Sequence, residues 1–188
     1  MEYPNWFTDG AARQFFSKHL QTLIGSPVHC LQIGAYTGDA TEWLLENVLT
    51  NRMSSLTDVD TWEGSNEEIH KNFDWNNVEE VYNSRTSKFS NIHKYKGTSD
   101  SFFEVNKKTF DFIYIDGDHT ALGVLKDGIN SIKVLNPGGI IAFDDYMWRS
   151  GRGPVYDPVK SIDAILNAYA EQFTVLDIGL QVWLKKKG

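Results

Sequence analysis

The sequence predicts an α/β fold: a three-layer sandwich built on a mostly parallel seven-stranded sheet, with a C-terminal antiparallel hairpin strand. Short apolar runs alternate along the chain with segments whose apolar residues recur at helical spacing. This alternation is typical of a parallel sheet that is covered by helices on both faces. The chain ends with two apolar runs joined at Gly179, which predicts a hairpin and therefore an antiparallel strand in that sheet.

Each element follows from a local pattern. Apolar runs predict strands at Val28–Ile33, Ser54–Val59, Asn91–Tyr95, Phe110–Ile115, Gly139–Phe143, Phe173–Ile178 and Leu180–Lys185. Helical spacing predicts helices over Asp9–Leu23, Asp39–Leu49, Ala121–Val134 and Val159–Gln172, with one or two more between Trp62 and Arg85. The segment Asp145–Pro158, rich in glycine, proline and arginine, is predicted to be a loop.

The length and composition limit the class of protein. A chain of 188 residues favours one domain, 1–188, with an N-terminal helical segment over 1–25 and the core over 26–188. The net charge of −7 argues against nonspecific binding to nucleic acid or to an anionic membrane. The single cysteine, Cys30, excludes an internal disulfide. There is no basic-then-apolar leader and no run of about 18 apolar residues, so we expect a cytoplasmic protein. The sequence is compatible with a homo-oligomer.

A glycine turn follows the first predicted strand. Gly34 allows a tight turn, and Gly38 allows the backbone to approach a ligand at the carboxyl end of the strand. The spacing is G-x-x-x-G rather than the G-x-G-x-x-G of dinucleotide-binding turns. Asp60, at the end of the second strand, can accept hydrogen bonds from both hydroxyls of a ribose. These features together predict a nucleoside site; the alternatives are a plain strand-to-helix turn and an Asp60 that caps a helix or faces solvent.

Acidic residues follow the fourth and fifth predicted strands. The sequence Asp116-Gly117-Asp118-His119 ends one strand, and Asp144-Asp145 ends the next. Because neighbouring parallel strands lie about 4.8 Å apart, these side chains converge if the two strands are adjacent. Crowded carboxylates repel one another unless a cation joins them, and Mg²⁺ suits a few carboxylates plus water. The alternative is that each acid caps the helix or loop that follows it.

These motifs resemble those of known methyltransferases. The run Gly34-Ala35-Tyr36-Thr37-Gly38 resembles the turn of catechol O-methyltransferase, and Gly97-Thr98-Ser99-Asp100 resembles the adenine-binding segment of that family. The pattern I-D-G-D-H followed by G-G-I-I-A-F-D-D resembles metal-dependent O-methyltransferases that act on macrolide sugars and aminocoumarins. The resemblance covers Val28–Lys185, with one departure: Gln32 stands where the family usually has an acidic residue.

The resemblance implies a Rossmann-like class I methyltransferase that uses S-adenosylmethionine and a divalent metal such as Mg²⁺. It places the cofactor against residues of the glycine turn and of four later positions or segments: Gly34, Ala35, Tyr36, Thr37, Gly38, Asp60, Trp62, Thr98, Ser99, Asp100 and Asp116. It places the metal on Asp116, Asp144 and Asp145. Trp62 can equally be a packed aromatic, and Ser99 and Asp100 can equally be the N-cap and first-turn acid of a helix.

The catalytic base is predicted from the proton chemistry of the reaction. A hydroxyl becomes a good nucleophile when a metal lowers its pKa and a base removes its proton. Family members place a catalytic histidine at the position of His119 or a catalytic aspartate at that of Asp118. We favour His119, because an imidazole with a pKa of about 6.5 is neutral and receptive near pH 7. The alternative is that His119 merely opens the following helix.

The acceptor predicted by this chemistry is a small molecule that carries a hydroxyl, of sugar or phenol type, rather than a nucleic acid or a membrane. Side chains of the loop after the fifth strand can form its rim: Tyr146, Trp148, Arg149, Arg152 and Tyr156. The alternative is a solvated connector. Three other functions stay open: a metal-independent methyltransferase, a non-catalytic S-adenosylmethionine-binding module, and a nicotinamide oxidoreductase, which the glycine spacing and the terminal hairpin disfavour.

Overall fold

A seven-stranded sheet forms the centre of the computed structural model, which describes residues 3–65 and 67–188. The strands are β1 (His29–Ile33), β2 (Ser55–Asp60), β3 (Ile92–Lys96), β4 (Phe110–Ile115), β5 (Leu135–Phe143), β6 (Phe173–Ile178) and β7 (Val182–Lys186). Their order across the sheet is β3-β2-β1-β4-β5-β7-β6. The pairs among β1 to β5 are parallel, and β7 runs antiparallel to both β5 and β6. The predicted fold class is therefore confirmed.

Helices connect the strands and cover both faces of the sheet. They are α1 (Trp6–Asp9), α2 (Ala12–His19), α3 (Asp39–Asn47), α4 (Trp75–Thr86), α5 (Ser99–Val105), α6 (Ala121–Val134) and α7 (Val159–Ala168). Short 3₁₀ turns lie at Gln21–Leu23, Ile69–Asn72, Pro154–Tyr156 and Ala170–Gln172. None of the helices in the described part of the chain has the length and apolar character that crossing a bilayer requires.

Alternate residues of the central strands enter two different apolar clusters. Cys30, Leu56 and Phe112 lie in the cluster that also holds Phe16 of α2 and Leu44 of α3. Their neighbours along the same strands, such as Leu31 and Ile113, lie in the other cluster, with side chains from α6 and α7. Because successive side chains of a strand point to opposite faces, strands buried on both faces read as continuous apolar runs. This is why the sheet was visible in the sequence.

Several boundaries differ from the prediction. The segment predicted as one helix over Asp9–Leu23 is divided, because Ala11 adopts a left-handed backbone conformation (φ 66°) between α1 and α2. β5 begins at Leu135 rather than Gly139, because Leu135 pairs with Phe110 and an irregularity in register absorbs the next residues. The final strand begins at Val182 rather than Leu180.

The helices predicted over 39–49 and 159–172 also end earlier than expected. α3 ends at Asn47, and α7 ends at Ala168 before a 3₁₀ turn. The polar segment after Trp62 contains one 3₁₀ turn and α4, whose N-terminus is capped by the side chain of Asp74. This capping is the local reason that α4 begins where it does.

Candidate active site

A cavity of about 740 Å³ opens at the carboxyl ends of the parallel strands. Its wall includes the residues that directly follow β1, β2, β3 and β4. The chain leaves β1 toward β2 and β3 on one side, whereas β4 and β5 lie on the other side of β1. Ligands of open α/β sheets bind at such a reversal of strand order. The cavity therefore lies where this architecture places a ligand.

The glycine turn after β1 is shaped by close backbone contacts. Gly34 has φ +86°, and a Cβ atom there would overlap the carbonyl oxygen of Asp116. Gly38 has φ +82°, and a Cβ atom there would lie 3.0 Å from the ring of Tyr82. Tyr36, between them, also has a positive φ of 49°. Glycine is required at both ends of the turn, because a side chain would meet both strain and a neighbouring atom.

The Asp60 carboxylate holds this turn in place. Its Oδ2 accepts hydrogen bonds from the backbone amides of Ala35 (2.7 Å) and Tyr36 (2.9 Å), and its Oδ1 accepts one from Trp62 (2.7 Å). Asp60 also lines the cavity. A carboxylate has about four lone-pair sites, so three amide bonds leave capacity for a ligand hydroxyl. Asp60 thus both builds the turn and faces the ligand space.

The residues predicted to bind the cofactor fall into two groups. Those that line the cavity are Gly34, Tyr36, Asp60, Thr98, Ser99, Asp100 and Asp116. Ala35, Thr37 and Gly38 shape the turn from behind it. Thr98, rather than Ser99, caps α5, because its hydroxyl oxygen accepts a hydrogen bond from the backbone amide of Ser101. Asp100 forms an ion pair with Lys126 (2.7 Å) at the wall of the cavity.

Trp62 is a packed aromatic of the core, which was the alternative to its predicted contact with the cofactor. Its side chain is only 2% exposed and lies 4.8 Å from the Tyr82 ring in a third apolar cluster. Its indole Nε1 donates a hydrogen bond to the carbonyl oxygen of Tyr36. Trp62 therefore supports the glycine turn from the core and does not border the described cavity.

The acidic cluster after β4 and β5 includes His119. Single ligand atoms of Asp116, His119 and Asp145 lie within 4.8 Å of one another. Asp144 lies beside this group: it accepts hydrogen bonds from the Tyr114 hydroxyl, which also bonds Asp116, and from the backbone amide of Asp145. The structure thus brings Asp116 and Asp145 together, as predicted, and adds His119 to the group.

His119 lies between three carboxylates. Its Nδ1 is 3.0 Å from Oε1 of Glu67, and its Nε2 is 3.0 Å from Oδ2 of Asp145 and 3.5 Å from Oδ1 of Asp116. Burial alone would lower the pKa of His119, but the hydrogen bonds to these carboxylates raise it well above 6.5. These carboxylates therefore favour the protonated imidazole, whereas the sequence led us to expect a neutral base.

The pKa values of two carboxylates around His119 are shifted in opposite directions. Burial and the nearby charge of Asp144 raise the pKa of Asp116 to about 8. Burial acts to raise the pKa of Glu67 as well, but the hydrogen bond to His119 lowers it to about 2. The buried acids Asp116 and Asp144 therefore resist ionisation because of burial and mutual repulsion, and a positive group beside them would favour their charged forms.

Asp118 stands apart from this cluster. Its carboxylate is exposed and accepts hydrogen bonds from the amide (2.9 Å) and the hydroxyl (2.8 Å) of Thr120. Thr120 in turn caps α6 through the amide of Gly123. Asp118 lines the cavity, but its hydrogen bonds serve the start of the helix.

Several residues that line the cavity were not predicted from the sequence. Trp6, Glu67, His70 and Trp75 line the cavity, and Trp6 stacks on Tyr36 with 4.7 Å between ring centroids. Glu67 lies 52 positions before His119 in the chain. Nothing in the spacing around these residues predicts that they share one wall. Asp127 was also missed: it lines the cavity, a hydrogen bond joins it to Ser99, and burial raises its pKa to about 6.

The loop after β5 contributes part of the predicted rim. Arg152 and Tyr156 line the cavity, with the guanidinium 4.4 Å from the centre of the ring. Trp148 lies 5.2 Å from the His119 ring. Tyr146 and Arg149 instead hold the loop: the Tyr146 hydroxyl bonds Asp163, and Arg149 donates to backbone carbonyl oxygens.

Comparison with known proteins agrees with this geometry. The N-methyltransferase NodS from Bradyrhizobium japonicum WM9 aligns with a TM-score of 0.66 at 17% identity, over 98% of both chains. The O-methyltransferase TomG from Streptomyces achromogenes, in complex with SAM, aligns with a TM-score of 0.66 at 14% identity, over 100% of this chain and 92% of that one. An O-methyltransferase from Bacillus cereus, in complex with SAH, aligns with a TM-score of 0.60 at 15% identity, over 99% and 93%.

Identities this low establish a shared fold. A search of curated protein sequences finds no match. The family model described as "Methyltransferase domain" matches residues 31–146, which include the glycine turn, Asp60 and the whole acidic cluster. Since this match spans more than half of the chain, the protein belongs to the methyltransferase domain family.

Proposed function

We propose that this protein transfers the methyl group of S-adenosylmethionine to a hydroxyl oxygen of a small molecule, with a divalent cation at the acidic cluster. The observation that carries the proposal is the position of Asp116, His119 and Asp145 beside the glycine turn. TomG and the Bacillus cereus enzyme, which share the fold, contain SAM and SAH. Besides Asp116, five acids and only two of the chain's Lys and Arg side chains, Lys126 and Arg152, line the cavity among the described residues: Asp60, Glu67, Asp100, Asp118 and Asp127. Such a wall disfavours a polyanionic acceptor such as nucleic acid.

The residues present fit a hard cation. Asp116 and Asp145 offer carboxylate oxygens, and Asp144 stands next to them. Crowding of these acids raises the pKa values of Asp116 and Asp144, because burial and mutual repulsion disfavour the charged forms. A divalent cation on Asp116 and Asp145, with Asp144 as the third residue, would relieve that repulsion. Such a cation, when bound, would lower the pKa of an acceptor hydroxyl.

The cofactor would lie along the residues that follow β1, β2 and β3. S-adenosylmethionine supplies an electrophilic methyl group on a sulfonium. Asp60 would accept the ribose hydroxyls with its remaining capacity, and Ser99 and Asp100 would border the adenine, on the side of the cavity away from His119. Gly34 lines the cavity, so its backbone would border the rest of the ligand.

His119 is the proposed base. In the reaction an O–CH₃ bond forms, the C–S bond breaks, and the acceptor proton moves to Nε2 of His119. Glu67 holds Nδ1, so Nε2 is the nitrogen directed at the acidic cluster. The imidazole must be neutral to accept a proton, and the carboxylates that raise its pKa are those that a cation would engage. Trp148 packs beside the ring and limits its movement.

Cation binding tests the proposal directly. We expect one Mn²⁺ or Mg²⁺ per chain by calorimetry in the presence of S-adenosylhomocysteine. Asp116→Asn and Asp145→Asn should weaken binding at least tenfold, on the order of 1.4 kcal/mol. Asp118→Asn, a matched change two residues from Asp116, should leave binding unchanged. His119→Ala should bind the cation normally if the histidine is a base, and weakly if it is a ligand. Unchanged binding in both ligand variants, or full turnover in excess chelator, would refute the metal site.

A further inference from the structure

A buried polar pair lies beneath the glycine turn, outside the site described above. Gln32 of β1 and Asp58 of β2 are 2% and 0% exposed. They are register partners on adjacent parallel strands, so their side chains leave the same face of the sheet at the same level. Both face a layer that α3 and α4 cover, since Thr41 and Tyr82 of those helices bond Asp58.

Hydrogen bonds leave one acceptor oxygen unpaired on each residue. Oδ2 of Asp58 accepts the hydroxyls of Thr41 (2.6 Å) and Tyr82 (2.9 Å), whereas Oδ1 is buried without a partner among the described residues. Nε2 of Gln32 donates to the carbonyl oxygen of Gly34 (2.9 Å), whereas its Oε1 is likewise buried without a partner there. If the oxygen and nitrogen of the Gln32 amide were exchanged, Oε1 would face the carbonyl oxygen of Gly34, and both atoms are acceptors. The Gly34 carbonyl therefore fixes the orientation of the Gln32 amide.

Two buried acceptors at matched positions are satisfied by one proton. We infer that Asp58 is held as the neutral acid, with its proton on Oδ1 and donated to Oε1 of Gln32, and that this bond positions the Gln32 amide on Gly34. Leaving a buried acceptor without a hydrogen bond lowers the stability of the fold, and a single O–H donor between the two oxygens satisfies both. Asp58 is then a positioning residue, because it acts on the glycine turn through Gln32.

The surroundings of Asp58 agree with a neutral acid. Burial is the largest influence and raises the pKa of Asp58 to about 7; the hydroxyls of Thr41 and Tyr82 lower it, and the charge of Asp60 raises it. Cys30, on β1, is a buried neutral thiol. Lys94, the register partner on β3, is directed to Glu79 at 2.5 Å. Arg85 of α4 pairs with Asp39, and the Lys94 ammonium lies 5.5 Å from the centre of the Tyr82 ring, so no cation of the described residues forms an ion pair with Asp58.

The pair also accounts for Gln32 at a position where an acid would be expected. A second carboxylate beside Asp58 would add repulsion in a buried layer, whereas an amide offers one acceptor to Asp58 and one donor to Gly34. The further consequence, that the pair tunes cofactor affinity, rests on the proposed function. The protonation state itself does not, because it can be measured without any ligand.

The first test is the pH dependence of stability. The pKa of folded Asp58 lies above its unfolded value, so its contribution is fully present at low pH and is lost as pH rises toward about 7. Asp58→Asn keeps a donor for Gln32 and an acceptor for the hydroxyls without titrating. We expect the difference between the urea midpoints of unfolding, Asp58→Asn minus the unchanged protein, to rise between pH 5 and pH 8. A difference that is constant, or that falls with pH, would overturn the inference.

The second test is spectroscopic and stands even if Asp58→Asn does not fold. The unchanged protein, labelled with ¹³C at aspartate carboxyl groups, should show the infrared C=O stretch of a protonated acid at pH 6, and this band should fade at higher pH. Asp116 and Asp127 also have raised pKa values, so the Asp58 band is the component that responds to a change at Gln32. Gln32→Met, which removes the acceptor at similar volume, should shift the band to that of a less strongly bonded acid. Absence of the band, or no response to Gln32→Met, would refute the pair.

Calorimetry with S-adenosylhomocysteine completes the test. Gln32→Met should weaken binding several-fold, since Gly34 loses its partner, whereas Asp58→Asn should bind within error of the unchanged protein at pH 6. If the stability and infrared experiments give the expected results while neither the unchanged protein nor any variant binds S-adenosylhomocysteine, the proposed function fails and the protonated pair stands.

Discussion

His119 and Asp118 are neighbours in the chain, yet their side chains lie in different environments. His119 is enclosed by Glu67, Asp116 and Asp145, whereas Asp118 is exposed and bonded to Thr120. A residue that faces an acidic cluster can exchange protons there. A residue whose oxygens are engaged by the first turn of a helix mainly stabilises that turn. We therefore keep His119 as the proposed base.

The predicted consequence is a difference between two single variants. His119→Ala should lower the maximal rate about 100-fold, the usual scale for loss of a general base, while affinity for S-adenosylhomocysteine barely changes. Asp118→Asn should keep most of the rate. Steady-state kinetics with an acceptor from a sugar and phenol screen would measure both. If Asp118→Asn abolishes turnover while His119→Ala retains it, the aspartate is the base.

Asp60 is the second residue whose role can be tested alone. Its carboxylate accepts hydrogen bonds from three backbone amides at the turn and lines the cavity. Asp60→Ala should weaken S-adenosylhomocysteine binding by roughly 1.5–3 kcal/mol, the scale of a lost charge-assisted hydrogen bond. Asp177→Ala, which removes an acid of β6 that pairs with Lys18 of α2, is the matched control and should bind normally. Equal calorimetric affinities for Asp60→Ala and the parent would contradict the assignment.

At the scale of elements, the turn between β1 and α3 is held by neighbouring elements rather than by its own sequence. Gly34 packs on the backbone after β4, Gly38 packs on Tyr82 of α4, and Asp60 of β2 bonds the amides between them. Three residues near the site, Tyr36, Trp62 and Asp145, also have positive φ angles. Such conformations persist where the surrounding structure over-determines them, and they gather at functional sites.

Two alanine substitutions separate backbone strain from steric overlap in this turn. Gly34 and Gly25 both have positive φ, but a Cβ atom at Gly34 would overlap Asp116, whereas one at Gly25 would meet nothing within 4 Å. Gly25→Ala should cost about 1 kcal/mol of stability through strain alone. Gly34→Ala should cost more and should also reduce S-adenosylhomocysteine binding. Similar unfolding midpoints for the two variants would show that the close approach to Asp116 has little energetic weight.

At the scale of the whole molecule, the sheet brings distant segments to one cavity. The adjacency of β1 and β4 sets Gly34 against Asp116, and β5 brings Asp145 beside both. The N-terminal helix α1 adds Trp6 to the wall through its stacking on Tyr36. A ligand in this cavity contacts elements from most of the chain, so its binding should stabilise the fold as a unit.

A thermal shift measurement tests this coupling and distinguishes the cofactor class. At about 100 times its Kd, S-adenosylhomocysteine should add about 2.7 kcal/mol of stability. For a domain of this size, that corresponds to an increase in Tm of roughly 5 °C or more. NAD at the same concentration should leave Tm unchanged, since the G-x-x-x-G turn differs from the dinucleotide pattern. Stabilisation by NAD alone would support the oxidoreductase alternative.

The sequence by itself determined the fold class and the convergence of acids at one edge of the sheet. Phe110–Ile115 and Ala121–Val134 were predicted with their observed bounds, because a doubly buried strand and an amphipathic helix each leave a strong local periodicity. The glycine turn and Asp60 were visible for a similar reason: the requirement for glycine and the position at a strand end are local properties. Once strands β4 and β5 were inferred to be neighbours, the proximity of Asp116 and Asp145 followed from their spacing.

The tertiary structure decided which side chains meet. Glu67 reaches His119 across 52 positions, Trp62 turns into the core, and Asp144 shares the Tyr114 hydroxyl with Asp116. These outcomes depend on the path of the segment after β2 and on rotamers chosen by competing hydrogen bonds, neither of which leaves a periodic pattern in the sequence. The charge state of His119 depends on the same contacts, because a pKa is set by the groups that surround a side chain in space and not by its neighbours in the chain.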